Sequence, residues 1–280
     1  MRVTTLARHS LTVLLRKVPK TRWYSVLSLV LAEAPNDVKL QQGVLTMWGS
    51  LENLRRAGFE PRTILDIGAW IGAWTERAHA IFPSATVVMV EANPQKASIL
   101  ESVSTRLGDR IRYRRALLGS QPKAAVDFYA MESGSSVLEE KTLFPRTRLS
   151  LPMETLDNVA AEFAPIEGPL LIKIDVQGFE LEVLRGGSHT LQLAEVVILE
   201  VSFLEYNVGA PLAAEVFAFM KAAGFVAYDL CGMFRRESDG AIIQADFMFV
   251  RDGSALRAPK KFWASEPDQG LASTAAGSAR

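Results

Sequence analysis

The 280-residue sequence has a single cysteine, Cys231, and no excess of charge of either sign. One cysteine cannot form a disulfide within the chain, so the sequence excludes a small secreted fold held together by disulfides. It indicates a reducing, cytoplasmic location. The 31 Lys and Arg residues are balanced by 31 Asp and Glu residues. Because nucleic-acid binding generally needs an excess of positive charge, we do not expect nucleic acid as a partner.

The sequence also lacks an apolar run near its N-terminus that is long enough to cross a membrane. The apolar-leaning run at 23–32 is far shorter than the ~20 residues of a spanning helix, and basic residues at 16–22 precede it. We predict that residues 1–44 form a helical extension packed on the core. The alternative is peripheral contact of this segment with a membrane surface. Residues 254–280, which are small and polar, are predicted to be a disordered tail.

Between these ends, residues 45–253 alternate between strand and helix patterns and are predicted to form one domain. The strands of the main sheet are predicted at 63–68, 85–92, 110–117, 169–175, 194–203, 225–230 and 243–250. Repeated strand–helix units indicate an α/β fold with a mostly parallel sheet covered by helices on both faces, and the last two strands should pair antiparallel. Residues 120–168 interrupt the pattern with two further strands and a short helix. Ligands of such sheets bind beyond the carboxyl ends of the strands.

The turn after the first predicted strand lacks the middle glycine of a dinucleotide-binding motif. Its two glycines, Gly68 and Gly72, are four positions apart, and Ala69 and Trp70 between them leave less room for a diphosphate. Asp66, at the end of the strand, would repel phosphate and suits a cationic group such as an ammonium or a sulfonium. The pattern therefore favours a cationic cofactor over a nicotinamide dinucleotide.

The second and third predicted strands supply the other expected contacts to this cofactor. Glu91 ends the second strand, where a carboxylate can accept hydrogen bonds from both ribose hydroxyls of a nucleoside. Ala92 follows it, and Ala116 and Leu117 after the third strand are expected to flank an adenine ring. A ribose and a cationic group without a diphosphate indicate S-adenosylmethionine as the cofactor.

Several stretches resemble the FkbM family of S-adenosylmethionine-dependent methyltransferases. They are "ILDIGAWIGAWT", "VVMVEANPQ", "LPMETLDNV", "LLIKIDVQGFELEVLRGG", "VILEVSF" and "FMKAAGF", and together they cover roughly residues 45–250. The resemblance implies the Rossmann-like class I methyltransferase fold, with seven strands and a reversed last pair. It also implies methylation of hydroxyl groups on sugars or polyketide-type products. The chain departs from the family at Trp70, where Asn is usual, and at Gln177, where Glu is frequent.

Polar residues at the end of the fourth predicted strand are the candidates for catalysis. Lys173 and Asp175 point to the same side of an extended strand, and Asp175 reaches the crevice last. When a hydroxyl attacks a methyl group it must lose its proton, and a carboxylate can accept that proton or orient the hydroxyl. We predict this role for Asp175, assisted by Lys173 and by Glu200 at the end of the next strand. The alternative is a structural ion pair without a part in the chemistry.

Metal ions and substrate contacts are less clearly indicated. Asp175 and Glu200 could share a divalent cation, but the sequence has no H-x-x-x-H pattern or cysteine cluster, so we do not expect a metal. Ser135 and Ser136 lie in a Ser/Gly-rich stretch and could bond sugar hydroxyls or the cofactor. The alternative is an ordinary flexible turn.

The sequence thus predicts an O-methyltransferase that uses S-adenosylmethionine and acts on a hydroxyl of a sugar, glycolipid or secondary metabolite. Two alternatives belong to other functional classes. One is a nicotinamide-dependent oxidoreductase, which the missing middle glycine disfavours. The other is a non-catalytic protein that keeps a nucleoside pocket, which the departures at Trp70 and Gln177 slightly favour.

Overall fold

The computed structural model of the chain describes residues 45–258. The predicted helical extension at 1–44, with its alternative of membrane contact, lies outside the described residues. Residues 259–280 of the predicted tail also lie outside them. The described start of that tail contains a 3₁₀ turn at Ala255–Arg257.

The order of helices and strands follows the predicted alternation. The helices of the described part are α1 (Met47–Arg56), α2 (Ala73–Ile81), α3 (Ala97–Leu107), α4 (Leu156–Ala161), α5 (Glu180–Arg185), α6 (Ser188–Leu193) and α7 (Ala213–Ala222). The strands are β1 (Thr63–Ile67), β2 (Thr86–Glu91), β3 (Ile111–Arg115), β4 (Leu117–Leu118), β5 (Lys123–Ala130), β6 (Thr147–Glu154), β7 (Leu170–Ile174), β8 (Ala194–Ser202), β9 (Phe225–Arg235) and β10 (Ile242–Arg251).

Seven of these strands form one sheet in the order β3-β2-β1-β7-β8-β10-β9. β10 runs antiparallel to both of its neighbours, and the other pairs of the sheet are parallel. This is the class I methyltransferase fold, and the prediction of a mostly parallel sheet with a reversed last strand is confirmed. The chain moves outward in one direction from β1 to β3 and then returns to β7 on the other side of β1. The crevice at the carboxyl ends of β1 and β7 is therefore a topological switch point, where ligands bind in such sheets.

Burial on both faces explains why the central strands are continuous apolar runs. All five residues of β1 are buried. Leu65 and Ile67 pack in one hydrophobic cluster with residues of α4, α5, α6 and α7, whereas Ile64 packs in a second cluster with residues of α1, α2 and α3. The sheet is thus held between two helical layers, which fixes the positions of its carboxyl ends.

A small three-stranded sheet, in the order β4-β6-β5, accounts for the interruption predicted at 120–168. β5 and β6 pair antiparallel, and α4 begins at Leu156 as predicted. The third predicted strand, 110–117, extends two residues too far at its C-terminal end: β3 ends at Arg115, and Leu117–Leu118 pair with β6. Leu117 leaves the main sheet because it packs in a separate apolar cluster with Phe128 and Met153.

Close packing between the small sheet and α5 leads to a test of stability. A Cβ atom at Gly186 would lie 2.0 Å from the backbone oxygen of Gly119, whereas one at Gly253 would meet nothing within 4 Å. We expect Gly186→Ala to lower the free energy of unfolding by about 1–3 kcal/mol, since a backbone oxygen cannot move aside as a flexible side chain can. Gly253→Ala is the control and should be near neutral. Equal midpoints for the two variants in urea denaturation would contradict this packing.

Candidate functional site

A cavity of about 190 Å³ lies beyond the carboxyl ends of β1, β2 and β7. Gly68 and Trp70 from the turn after β1, Glu91 from β2 and Asp175 after β7 line it. Residues 133–137, between β5 and β6, close it from above the sheet. We call this space the first cavity.

The turn after β1 reaches the end of β7 only because residue 68 is glycine. Gly68 has a φ of 76°, and a Cβ atom there would lie 1.9 Å from the backbone oxygen of Asp175. Trp70 also has a positive φ, 51°, and Gly72 caps α2 with a φ of 79°. Gly68 and Trp70 line the first cavity, whereas Ala69 and Gly72 do not. The latter two shape the turn and start the helix.

The carboxylate of Glu91 is fixed by two backbone N–H groups. Trp70 N donates to Oε2 at 2.9 Å, and Asn93 N donates to Oε1 at 2.8 Å. Burial raises the pKa of Glu91, although both hydrogen bonds oppose the rise. Each carboxylate oxygen keeps a further lone pair for a donor in the first cavity. The structure places Glu91 at the end of β2, and the sequence did not indicate that the turn after β1 would hold it.

The segment at 131–137 is tied to the turn after β1 and to the start of α3. The indole Nε1 of Trp70 donates to the backbone oxygen of Glu132 at 2.7 Å. Lys96 Nζ lies 3.1 Å from Glu132 Oε1, and the side-chain amide of Asn93 donates to the backbone oxygen of Met131 at 3.2 Å. Sequence reasoning missed Asn93 and Lys96. The Asn-Pro dipeptide at 93–94, a turn signal directly after the second strand, could have indicated the first of them.

The two serines of this segment line the first cavity, but their hydroxyls bond the protein itself. Ser135 Oγ accepts from Met131 N at 2.9 Å. Ser136 is buried and its Oγ donates to the backbone oxygen of Gln177 at 2.9 Å. Their predicted contact with a substrate stays a prediction.

The apolar wall of the first cavity contains the residues that were expected to flank a ring. Ala92, Ala116 and Leu117 all line it. Phe128 and Phe179 line it as well and were not predicted from the sequence. An apolar wall of this kind suits a flat apolar ring.

The side chain of Asp66 lies beneath the first cavity and does not line it. It is fully buried, its Oδ2 accepts from Thr75 Oγ1 at 2.7 Å, and its Oδ1 lies 3.3 Å from Lys173 Nζ. Asp66 and Lys173 are register partners in the β1–β7 pair, which brings them together. The charge of Asp66 is therefore largely directed at Lys173.

Lys173 joins the turn after β1 to the end of β7. Its Nζ also donates to the backbone oxygen of Gly68 at 3.1 Å and lies 3.5 Å from Asp175 Oδ2. Burial alone would lower the pKa of Lys173, but Asp175 and Asp66 outweigh it and raise that pKa above its usual value. Lys173 is therefore a permanent cation that holds both strand ends in place.

Gln177 links the carboxylates of Asp175 and Glu200. Its Nε2 donates to Asp175 Oδ1 at 2.8 Å and to Glu200 Oε2 at 2.6 Å. The backbone of Gln177 has a φ of 57°, an uncommon value for a residue other than glycine. The structure thus brings the three predicted catalytic residues into one network, in which Gln177 is a member that the sequence analysis did not assign a role.

A second cavity, of about 840 Å³, adjoins the first and shares Ser133, Gly134 and Gln177 with it. Glu200 lines this second cavity, as does Asp246, its direct partner in the β8–β10 pair. Burial, together with the charge of Asp175, raises the pKa of Asp246 to about 7. Burial and the charges of Asp175 and Asp246 also raise the pKa of Glu200 well above its usual value.

Sequence reasoning missed Asp246 and its neighbour Gln244. Both stand in the apolar strand "IIQADFMFV", two positions apart, and so lie on the same face of β10. Two polar residues two positions apart in an otherwise buried strand are the sequence pattern from which these residues could have been predicted.

Among residues 45–258 no group of three or more His, Cys, Asp or Glu side chains is arranged to hold a metal ion. No helix within this range has the length and apolar character that a membrane crossing requires.

The buried carboxylates give a stability test with a defined sign. The pKa values of Glu180 and Asp246 are raised to about 7 by burial, so the folded state binds more protons than the unfolded state between about pH 4 and pH 7. The free energy of unfolding should therefore fall by about 1–3 kcal/mol as the pH rises from 5 to 8. Thermal unfolding at fixed ionic strength measures this fall, and Asp246→Asn should reduce it. A stability that increases steadily from pH 5 to 8 would contradict the prediction.

Comparison with known proteins identifies a family and finds solved methyltransferase structures of low similarity. A model of the methyltransferase FkbM domain matches residues 66–227. A search of curated proteins gave no match. Among solved structures, the chain is similar to methyltransferase FkbM from Methylobacillus flagellatus KT, with 15% identity and a TM-score of 0.40. That match covers 66% of this chain and 43% of the other, so the chain spans less than half of that protein.

Two further solved methyltransferases align over more of their own length. Magnesium protoporphyrin IX methyltransferase from Synechocystis PCC 6803, solved with bound S-adenosylmethionine, is 14% identical, with a TM-score of 0.42. The match covers 76% of this chain and 80% of that one. The 1,6-didemethyltoxoflavin-N1-methyltransferase of Burkholderia thailandensis, solved with S-adenosylhomocysteine, is 12% identical, with a TM-score of 0.39 and coverage of 84% and 91%. These similarities are too distant to identify a substrate.

The match to the family model is the more specific finding. It extends over more than half of the 280 residues. It begins at Asp66, directly before the turn that borders the first cavity, and includes the network around Lys173 and Asp175. The chain belongs to the methyltransferase FkbM domain family.

Proposed function

We propose that this methyltransferase uses S-adenosylmethionine to methylate a hydroxyl group of a sugar, glycolipid or secondary metabolite. The observation that carries the proposal is the carboxylate of Glu91. It lies at the wall of the first cavity at the end of β2, and two backbone N–H groups hold it in place. A carboxylate held in this way suits the two hydroxyls of a ribose.

The first cavity fits the proposed cofactor in other respects. The absence of a side chain at Gly68 keeps the turn after β1 close to β7, and Ala92, Ala116 and Leu117 supply an apolar wall for adenine. Asp175 at the opposite side supplies negative charge for the sulfonium, which S-adenosylhomocysteine lacks. Trp70 occupies the place where a diphosphate-binding turn would need a glycine, which disfavours the nicotinamide alternative.

The bound cofactor supplies an electrophilic methyl group, and the residues of the chain prepare the acceptor. Asp175 lines the first cavity and accepts a hydrogen bond from Gln177, which borders both cavities. In the proposed reaction Asp175 orients the acceptor hydroxyl or takes its proton as the oxygen attacks. Lys173 and Gln177 each bond one oxygen of Asp175 and fix the direction of its carboxylate. Gln177 donates hydrogen bonds to the carboxylates of Asp175 and Glu200, so Glu200 acts on Asp175 through Gln177.

The organisation of the whole chain is also part of the proposal. We propose that the chain consists of a helical extension at 1–44, a methyltransferase domain at 45–253 and a tail at 254–280. The acceptor is a small molecule or a glycan rather than a nucleic acid, in a cytoplasmic setting. Contact of the extension with a membrane surface would favour a lipid-linked glycan.

Glu91 provides the test of the cofactor. We expect S-adenosylmethionine and S-adenosylhomocysteine to bind in calorimetric titrations, and Glu91→Ala to weaken both at least about 100-fold, because the ribose loses its acceptor (~3 kcal/mol). Glu101→Gln, which changes an exposed residue of α3, is the control. Binding of NAD instead would favour the oxidoreductase alternative. Binding of S-adenosylmethionine without turnover of any hydroxyl acceptor would favour a non-catalytic protein.

Asp175 provides the test of the chemistry. We expect Asp175→Asn to lower kcat at least about 100-fold with a hydroxyl acceptor, because the amide cannot accept the proton. Binding of S-adenosylhomocysteine should change less than about 3-fold. Asp109→Asn, an exposed residue between α3 and β3, should behave as wild type. Release of S-adenosylhomocysteine measures the rate, and unchanged kcat in the Asp175 variant would remove this residue from the mechanism.

A further inference from the structure

The side-chain amides at the junction of the two cavities have a fixed orientation. Glu200 Oε2 accepts from Gln177 Nε2 at 2.6 Å and from Gln244 Nε2 at 2.8 Å. Because one oxygen of Glu200 accepts both hydrogen bonds, both amides turn their nitrogen toward Glu200 and their carbonyl oxygen away from it. Within residues 45–258, no donor contacts the carbonyl oxygen of either amide. Gln177 and Gln244 both line the second cavity, and Gln244 is only 8% exposed.

Asp246 continues this surface of hydrogen-bond acceptors. It lines the second cavity directly opposite Glu200 in the β8–β10 pair. In the described part of the chain, no hydrogen-bond donor and no basic side chain contacts its carboxylate. A half-buried carboxylate without a partner is costly, and a ligand that brings N–H donors would relieve that cost.

The charge of the second cavity has one sign. Four acidic residues line it: Glu132, Glu140, Glu200 and Asp246. Of the described residues that line it, none is Lys, Arg or His. The nearby ammonium of Lys173 is engaged by Asp66 and Asp175 on the side of the first cavity. An anionic ligand would therefore meet no basic side chain on this wall.

The rest of the second cavity is apolar and aromatic. Trp48 of α1, Tyr206 after β8 and Met233 of β9 line it, with Phe144 near its mouth. Phe144 is 63% exposed and Met233 is 40% exposed, which leaves apolar surface open at the entrance. Such walls bind the body of a ligand, and the polar groups at the junction orient it.

We propose that the acceptor carries a protonated amine on an apolar or aromatic body, and that Asp246 and the carbonyl oxygens of Gln177 and Gln244 bind this amine. The proposal rests on the proposed function, because it takes the second cavity as the place of the acceptor. The substrate class is thus an amino alcohol, aminophenol or amino sugar. Phosphorylated and carboxylated hydroxyl compounds are excluded.

Three phenols that share one ring and differ only in the charge of their side chain test the proposal. Tyramine is cationic, tyrosol is neutral and 4-hydroxyphenylacetate is anionic. Each is titrated calorimetrically into the full chain at pH 8, above the pKa of about 7 of Asp246, with and without saturating S-adenosylhomocysteine. We expect tyramine to bind at least about 10-fold more tightly than tyrosol, and 4-hydroxyphenylacetate to show no binding. Added salt should weaken the binding of tyramine and leave that of tyrosol unchanged.

Two variants test whether Asp246 causes the preference for the cationic phenol over the neutral one. Asp246→Asn keeps the shape of the side chain and should lower the affinity for tyramine to that for tyrosol, with S-adenosylhomocysteine binding unchanged. Asp109→Asn is the matched control for the loss of one carboxylate and should keep the full preference. If Asp246→Asn does not fold, the effect of salt on tyramine binding to the wild-type chain still tests whether negative charge in the cavity binds the amine.

The outcomes separate this proposal from the proposed function. Equal affinities, absence of tyramine binding, or tightest binding of the anionic phenol would overturn the amine-bearing acceptor. If S-adenosylhomocysteine binds in those cases, the proposed cofactor stands. If S-adenosylhomocysteine does not bind, the cofactor proposal fails, and the titrations without it still decide whether the cavity prefers the amine.

Discussion

The buried ammonium of Lys173 is the interaction on which the site depends. It contacts Asp66 on β1, the backbone oxygen of Gly68 in the turn that follows, and Asp175 after β7. These groups lie on the two strands where the chain reverses its direction across the sheet. An ammonium removed from water needs such partners, and removing one of them would leave a buried charge uncompensated. The same ion therefore fixes the topological switch point and the direction of the Asp175 carboxylate.

On each side of this ion, one residue other than glycine has an uncommon backbone conformation. Trp70 and Gln177 both have a positive φ, and each makes a contact that depends on it. The N–H of Trp70 donates to Glu91, and the amide of Gln177 joins Asp175 to Glu200. Uncommon backbone values persist where surrounding contacts hold them, and they concentrate at functional sites. Trp70 and Gln177 are therefore both built into the walls of the cavities.

The division of the site into two cavities separates two kinds of chemistry. The first cavity has an apolar wall and the hydrogen-bonded carboxylate of Glu91. The second has acidic and aromatic walls and contains Asp246 without a donor. Gln177 borders both, so a change of its side chain would affect the two cavities together. Burial of several carboxylates around one junction also explains why their pKa values rise together.

The sequence by itself determined the main strands, their assembly into a mostly parallel sheet and the places of Glu91 and Asp175 at strand ends, because short-range periodicity and strand ends are local properties. The tertiary structure alone decided which strand ends meet. Register pairs Asp66 with Lys173 and Glu200 with Asp246, and no local pattern encodes a distance across strands. For this reason the sequence directed Asp66 at the cofactor, whereas its carboxylate lies beneath the cavity against Lys173. The second cavity was not predicted either, because its walls come from segments as far apart in sequence as α1 and β10.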